Sequence, residues 1–279
     1  MTKKKNEHER IRQAVAKDYA RAVKSPGRSC CARPAPKGVA AKLAGYSAQE
    51  LAALPADAVE NSFGCGNPLA FSEVKPGDVV LDLGSGAGID LLIAAHKVGP
   101  QGSVIGVDMT EEMIERARKN IAAAGLHNVE VRKGIIEEMP VESESVDWVI
   151  SNCVINLSPE KQRVFDEIAR VLKPGGKMLV SDIVADGLPP EVLKNWEAYS
   201  SCIAGAISEK SYLAGLRKAG LKDVRVKGRI VYNPAQIRAV IESELKNIAE
   251  PCCCNPDGLA DGLEGKIASI KVFARKPEA

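Results

Sequence analysis

Residues 79–90 read VVLDLGSGAGID, and this stretch limits the folds open to the chain more than any other. Val79, Val80 and Leu81 form an apolar run that meets an acid at Asp82, then a loop with glycines at 84, 86 and 88. Leu91-Leu92-Ile93-Ala94-Ala95 follows, with the residue types of a helix buried along one side. Strand, glycine turn and helix in succession make the ligand loop of a doubly wound α/β sheet. Glycine tolerates positive φ and, lacking a Cβ, lets a ligand approach the backbone. The first-turn N–H groups of the helix then face that ligand. By itself the stretch fits NAD, another nucleotide-like ligand, or a tight turn that holds nothing.

The flanking pattern extends the sheet. Ser103–Asp108 reads as a second strand ending in an acid, where a carboxylate accepts hydrogen bonds from both ribose hydroxyls and repels a 2′-phosphate. The other reading of Asp108 is a charge at a helix start, with Thr110 as the cap and Glu111-Glu112 in the first turn. A helix over 111–124, a strand over 128–132 and a loop from Gly134 to Pro140 follow, the loop bordering the same crevice. Val146–Ser151 is a fourth strand that runs into Asn152-Cys153, and Ser158-Pro159 caps a helix through Leu172. Lys173-Pro174-Gly175-Gly176 turns into a strand over 177–183. Beyond it come a helical region over 191–219, a strand over 221–231, a helix from Asn233-Pro234 to 248 and a last strand over 266–275. Alternating strands and helices argue for a parallel sheet. At the other end, Ile11, Val15 and Tyr19 share one face of an amphipathic helix over 7–24, and Ser47 to Glu50 form a capping box.

A net charge of +2 gives no electrostatic case for a nucleic-acid partner. The basic head Met1–Lys5 is not followed by an apolar stretch of signal-peptide or membrane-span length, so a cytoplasmic protein without a membrane partner is expected. In a reducing compartment the eight cysteines point to metal, metalloid or redox chemistry rather than structural disulfides. None forms a C-x-x-C pair, which counts against a zinc ribbon or a thioredoxin motif. Cys30 and Cys31 lie in a loop with Pro34, Pro36 and Gly38, where Arg28 and Arg33 favour thiolate. Cys65 stands between Gly64 and Gly66 on a loop closed by Asn67-Pro68, open to a ligand. Cys153 sits at a strand's carboxyl end, where catalytic residues of open sheets gather. Cys202 suits a tight packing contact as well as a ligand site, since a lone cysteine is often a small buried hydrophobe. The run Cys252-Cys253-Cys254 lies between Pro251 and Asn255-Pro256, on a loop.

The order DLGSGAG, Asp108, Gly134 with Pro140, SVDWVISN and LKPGGKMLVSD resembles the class I S-adenosylmethionine-dependent methyltransferases from about residue 75 to 184. FGCGNPL, SNCVINLSPEK, SCIAGA and the Cys30-Cys31 loop are similar to the arsenite methyltransferases within that group. The resemblance implies a doubly wound, mostly parallel seven-stranded sheet of Rossmann-like type, with an N-terminal helical arm and a C-terminal substrate-side extension. The corresponding divisions are 1–70, 71–185 and 186–279. It implies S-adenosylmethionine in place of NAD, with Asp82 near its ammonium group and Gly84 and Gly86 against its methionine part. Asp108, Met109, Ile136, Glu137 and Asn152 complete the expected donor site, although Ile135 stands where many family members carry an acid that holds the adenine.

By the same resemblance, Cys65, Cys153 and Cys202 hold trivalent arsenic, and Cys30 or Cys31 supplies a further thiol for a disulfide relay. Arsenite and methylarsenite are the implied substrates, and thioredoxin or glutathione the implied reductant. Soft arsenic(III) suits three thiolates from separate elements, and its remaining lone pair is the nucleophile, so no general base is required. The three histidines of the chain lie in none of these motifs. Cys252, Cys253 and Cys254 read either as an auxiliary metalloid-capture site or as a dispensable loop. Two other functions stay open: a methyltransferase for another small molecule with inert cysteines, and a thiol-rich metalloid-binding protein without turnover.

Overall fold

A computed structural model describes residues 2–24, 46–52, 54–62, 66–188, 205–233 and 263–278, together with Ala235 and Ile237. Among the described residues the helices are α1 (Thr2–Lys24), α2 (Ala48–Ala52), α3 (Ala56–Glu60), α4 (Ile89–Val98), α5 (Glu111–Ala123), α6 (Lys161–Val171) and α7 (Glu209–Lys218). The strands are β1 (Val79–Leu83), β2 (Ser103–Asp108), β3 (Val129–Lys133), β4 (Val146–Asn152), β5 (Leu172–Ala185), β6 (Lys222–Val231) and β7 (Ile267–Arg275). They form one seven-stranded sheet in the order β3-β2-β1-β4-β5-β7-β6. Only β7 runs against its neighbours, and β1, β2, β3, β4 and β5 pair in parallel. The expected doubly wound, mostly parallel sheet is the observed one.

Both faces of the sheet are covered, which is why the inner strands read as apolar runs rather than alternating ones. On one face Leu91, Leu92, Ile114 and Ala117 pack on Val80, Val104 and Ile150. On the other, Val164, Phe165, Ile168, Tyr212 and Leu216 pack on Leu81, Val149 and Val180. A third apolar cluster joins Ile11 and Val15 of α1 to Cys153, Leu157, Ile183 and Ile267. The amphipathic face of α1 is therefore a packed one, and the helix also lies against α5, where Arg116 donates to the Val23 carbonyl at 3.4 Å.

Three local expectations give way. The helix after β4 begins at Lys161, not at Ser158-Pro159; the Ser158 hydroxyl accepts the Glu160 N–H at 3.0 Å and donates to Glu137 at 2.7 Å. Ser158 thus serves the loop rather than a helix start. The Pro174-Gly175-Gly176 turn lies inside the long strand β5 as an irregularity, with a register shift opposite Val146 and Trp148 and a φ of +75° at Gly175. Of the helical region expected over 191–219, residues 205–208 are not helical and α7 begins only at Glu209, after Ser208 caps it; its part over 191–204, and the expected helix over 238–248, lie outside the described residues.

Candidate active site

Parallel strands that reverse their winding at β1 and β4 leave a crevice outside their carboxyl ends, and a cavity occupies it. Asp82, Gly84, Gly86, Asp108, Met109, Ile136, Glu137 and Asn152, the residues expected around the donor, all line this one cavity. They arrive from four places: the end of β1, the end of β2, the loop after β3 and the end of β4.

The glycine loop makes the floor. Gly84, Gly86 and Gly88 have φ of +64°, +52° and +94°. A Cβ on Gly84 would meet the Val154 side chain at 2.4 Å, whereas one on Gly86 would meet nothing within 4 Å. Gly84 is therefore required by packing, and Gly86 by backbone shape and by the open cavity above it. Asp108 bridges two elements through its carboxylate, accepting the Gly86 N–H at 2.9 Å and the Thr110 N–H at 2.8 Å. Thr110 makes no side-chain cap bond, and Asp108 holds the backbone N–H of that cap residue while still facing the cavity.

The electrostatics of the cavity are acidic. Asp82, Asp90 and Asp108 are all buried and all line it. Burial, reinforced by the charges of Asp90 and Asp108, holds the Asp82 carboxyl well above its usual range. Burial also raises Asp108, against the opposing pull of the N–H groups of Thr110 and Gly86. Like charges gathered in a low-dielectric cavity favour a cationic ligand, which would restore the carboxylates to their ionised form.

Two wall residues, Asp90 and Arg12, escape a reading of the sequence. Asp90, in the first turn of α4, accepts the Tyr46 hydroxyl at 2.8 Å and the Asn152 amide at 3.3 Å. An acid amid Ile-Asp-Leu-Leu-Ile was the available signal, since nothing apolar explains a charge there. Arg12 of α1 also lines the cavity, reaching Glu137 at 3.3 Å and Glu160 at 2.5 Å. With Val15 and Tyr19 it makes α1 a wall of the cavity. An arginine beside an apolar helix face gives only a weak hint of that. Glu137 is buried, and the oxygen that takes Arg12 also accepts the Ser158 hydroxyl, at 2.7 Å.

Cys153 is the one expected thiol among the described residues. It is buried, has a φ of +62° and is disulfide-bonded. Both of its chain neighbours, Asn152 and Val154, line the cavity. Cys30, Cys31, Cys65, Cys202 and the run Cys252-Cys253-Cys254 lie outside the described residues.

A glycine loop at the switch point, an acid closing β2 and a carboxylate-rich cavity define a methyltransferase architecture, and residues 74–225 match the family model described as a methyltransferase domain. The chain is 48% identical over 198 residues to the arsenite methyltransferase of Halobacterium salinarum, covering 71% of this chain and 50% of that protein. It is 37% identical over 199 residues to the human arsenite methyltransferase, covering 68% and 50%. The solved structure of an arsenic(III) S-adenosylmethionine methyltransferase from Chlamydomonas reinhardtii superposes with a TM-score of 0.61 at 32% identity, over 88% of this chain and 75% of that one. The chain belongs to the arsenite S-adenosylmethionine methyltransferase family. It spans about half the length of the two curated relatives named above.

Proposed function

We propose that this protein transfers methyl groups from S-adenosylmethionine to trivalent arsenic, as arsenite or methylarsenite, held by the thiolates of Cys65, Cys153 and Cys202. The observation that carries the reading is the position of Cys153, flanked on both sides in sequence by residues that line the carboxylate-rich cavity. A sulfur there stands within a residue of the donor site.

The cavity fits the donor on three counts: three buried carboxylates suit its positive charge, the space above Gly86 takes a group against the backbone, and the buried Ser85 hydroxyl has no hydrogen-bond partner. Asp82 and Asp90 would hold the ammonium end, Asp108 the ribose, and Ile136 and Glu137 the adenine side. When bound, S-adenosylmethionine supplies an electrophilic methyl group. The protein's part is orientation, exclusion of water by α1, and delivery of a soft nucleophile. Thiols lose their protons on binding arsenic, so no histidine or carboxylate base is required.

The disulfide at Cys153 describes the oxidised protein, whose sulfur carries no thiolate for arsenic. Arsenic binding then follows reduction, which thioredoxin or glutathione would perform in a reducing cytoplasm, with Cys30 or Cys31 in the exchange. Arsenic detoxification is the role this chemistry serves, and Cys252 to Cys254 would be an auxiliary capture site.

The test is incubation of reduced protein with arsenite and S-adenosylmethionine, with methylated arsenic measured by chromatography and mass spectrometry. Methylated products with wild-type protein and their loss in Cys153→Ser are expected. A wild-type protein that yields no methylated arsenic would overturn the reading.

A further inference from the structure

Cys153 holds a φ of +62°, a left-handed conformation that a residue with a side chain keeps only where its surroundings fix it. On its own side the fixing is direct, since its N–H donates to the Ser181 carbonyl of β5 at 2.8 Å. Beyond it lies a single 3-10 turn, the buried residues Ile155–Leu157, before α6 starts at Lys161. Val154, Leu157 and Ser158 of this segment line the donor cavity, and Val154 stands against Gly84. A turn this short closes few hydrogen bonds of its own, so other groups must hold it.

Lys161 does so. The turn's own bonds use the carbonyls of Val154 and Ile155, which accept the N–H groups of Leu157 and Ser158 at 2.9 and 3.1 Å. The carbonyls of Asn156 and Ser158 instead both accept from Lys161 Nζ, at 3.0 and 2.8 Å. The lysine side chain therefore runs back from the start of α6 into the turn that precedes it. Asp182 and Glu137 lie close enough for their charges to favour its ammonium form. Asn156 is also held from β5: its amide donates to the Ile183 carbonyl at 2.6 Å, and its N–H donates to Asp182. Lys161 itself stands outside the cavity wall, one layer behind it.

We propose that Lys161 is a positioning residue for methyl transfer: by tying the Asn156 and Ser158 carbonyls together, it sets the segment that begins at Cys153 and carries Val154, Leu157 and Ser158 to the donor cavity. This deepens the reading of Cys153 as an arsenic ligand and rests on it. Methyl transfer needs acceptor and donor in line, and one segment here bears a ligand of the first and a wall of the second. A small displacement of that segment is therefore a loss of rate. Lys161→Met keeps the bulk of the side chain and removes every donor, whereas Lys161→Arg keeps a cation with N–H groups.

The experiment uses reduced full-length protein and takes two readings. One is hydrogen exchange at the Leu157 and Ser158 amides; the other is methylated arsenic formed from sodium arsenite at saturating S-adenosylmethionine. In Lys161→Met the two amides should exchange about tenfold faster or more, and turnover should fall by about tenfold or more. A rate that added donor does not restore marks misplacement, which weak donor binding alone would not produce. Ile168→Val, a core change in α6 away from both carbonyls, is the stability control. It should lower the urea midpoint while turnover stays within about threefold of wild type. Lys161→Arg should keep exchange and turnover within about threefold of wild type. Unchanged exchange or unchanged turnover in Lys161→Met overturns the proposal, as does a loss in Ile168→Val that follows its midpoint just as closely. A folded Lys161→Arg that loses about tenfold or more overturns it too, even where Lys161→Met cannot be prepared. Wild-type protein that makes no methylated arsenic defeats the functional reading itself, an outcome distinct from failure of a variant beside an active wild type.

Discussion

Tyr46 donates its hydroxyl to Asp90 at 2.8 Å, joining a residue that precedes α2 to the first turn of the helix behind the glycine loop. Both partners are buried, and burial together with the Asp90 charge pushes the tyrosine hydroxyl well above its usual value, so it stays a donor at any working pH. Tyr46→Phe removes that donor from a buried carboxylate. A loss of about 1–3 kcal/mol of folding stability is expected, the usual cost of leaving a buried polar group short of a partner. Denaturant unfolding of the two proteins measures it; equal midpoints would show that Asp90 does not depend on this bond.

Asp82 should make donor binding depend on pH. Burial first, then the charges of Asp90 and Asp108, raise its carboxyl well above the ordinary range, and a cationic ligand would pull it back down. Binding of S-adenosylmethionine should therefore release protons, and affinity should rise with pH through the raised value. Calorimetry in two buffers of different ionisation enthalpy reads the release directly. In Asp82→Asn the release should fall and affinity should weaken by about tenfold or more, the scale of one charge-assisted contact worth roughly 1.5–3 kcal/mol. Proton uptake by the wild-type protein would refute the assignment.

The parallel sheet was legible because its strands carry two-sided burial as apolar runs, and the glycine loop because positive φ leaves a mark in sequence. Asp82 and Asp108 were legible for the same reason: each closes a strand beside that loop. Arg12, which lines the cavity, and Tyr46, which bonds to Asp90 and Asn152 in its wall, were not, since each arrives across a long stretch of chain and no local pattern encodes such an approach. The partners of Asn152 were hidden in another way. Its place after β4 indicates the cavity it faces, but the Gly66 backbone that takes its amide lies 86 positions away. The helix start at Lys161 was misjudged because Ser158-Pro159 has the form of a cap, while its hydroxyl is drawn to the buried Glu137.

Gly84 and Gly86 should fail differently when given a side chain. Both have positive φ, which costs an L-residue about 1–2 kcal/mol. At Gly84 the new methyl also strikes Val154 at 2.4 Å, so Gly84→Ala should lose stability and donor binding together. At Gly86 it meets no protein atom and projects where the ligand is expected. Gly86→Ala should keep most of its thermal stability while S-adenosylmethionine affinity falls by about tenfold or more, on the order of 1.4 kcal/mol per decade. Thermal unfolding and calorimetry on both variants separate the cases, and equal stability losses would contradict the distinction.

Asp182, next along β5 from Ser181, sets a stability dependence that has nothing to do with ligand. Its carboxylate accepts the Ile183 N–H at 3.0 Å and the Tyr212 hydroxyl at 3.2 Å in a fully buried setting. Burial raises the carboxyl to about 7, against the pull of Ile183, Lys161 and Tyr212. A group held above its unfolded value binds its proton more tightly when native, so its contribution is complete below about pH 4 and is lost as pH climbs through 7. Lys161 runs the other way: burial lowers it to about 8, so its contribution is present above the unfolded lysine value and lost as pH falls through 8. Asp182→Asn removes the first step. The variant should gain on wild type between pH 5 and pH 7.5 by roughly 1–4 kcal/mol, less whatever attraction to Lys161 is forfeited. Urea unfolding at the two pH values measures the gain. A stability difference that does not change with pH would mean that Asp182 is ionised throughout, and that its partners outweigh its burial.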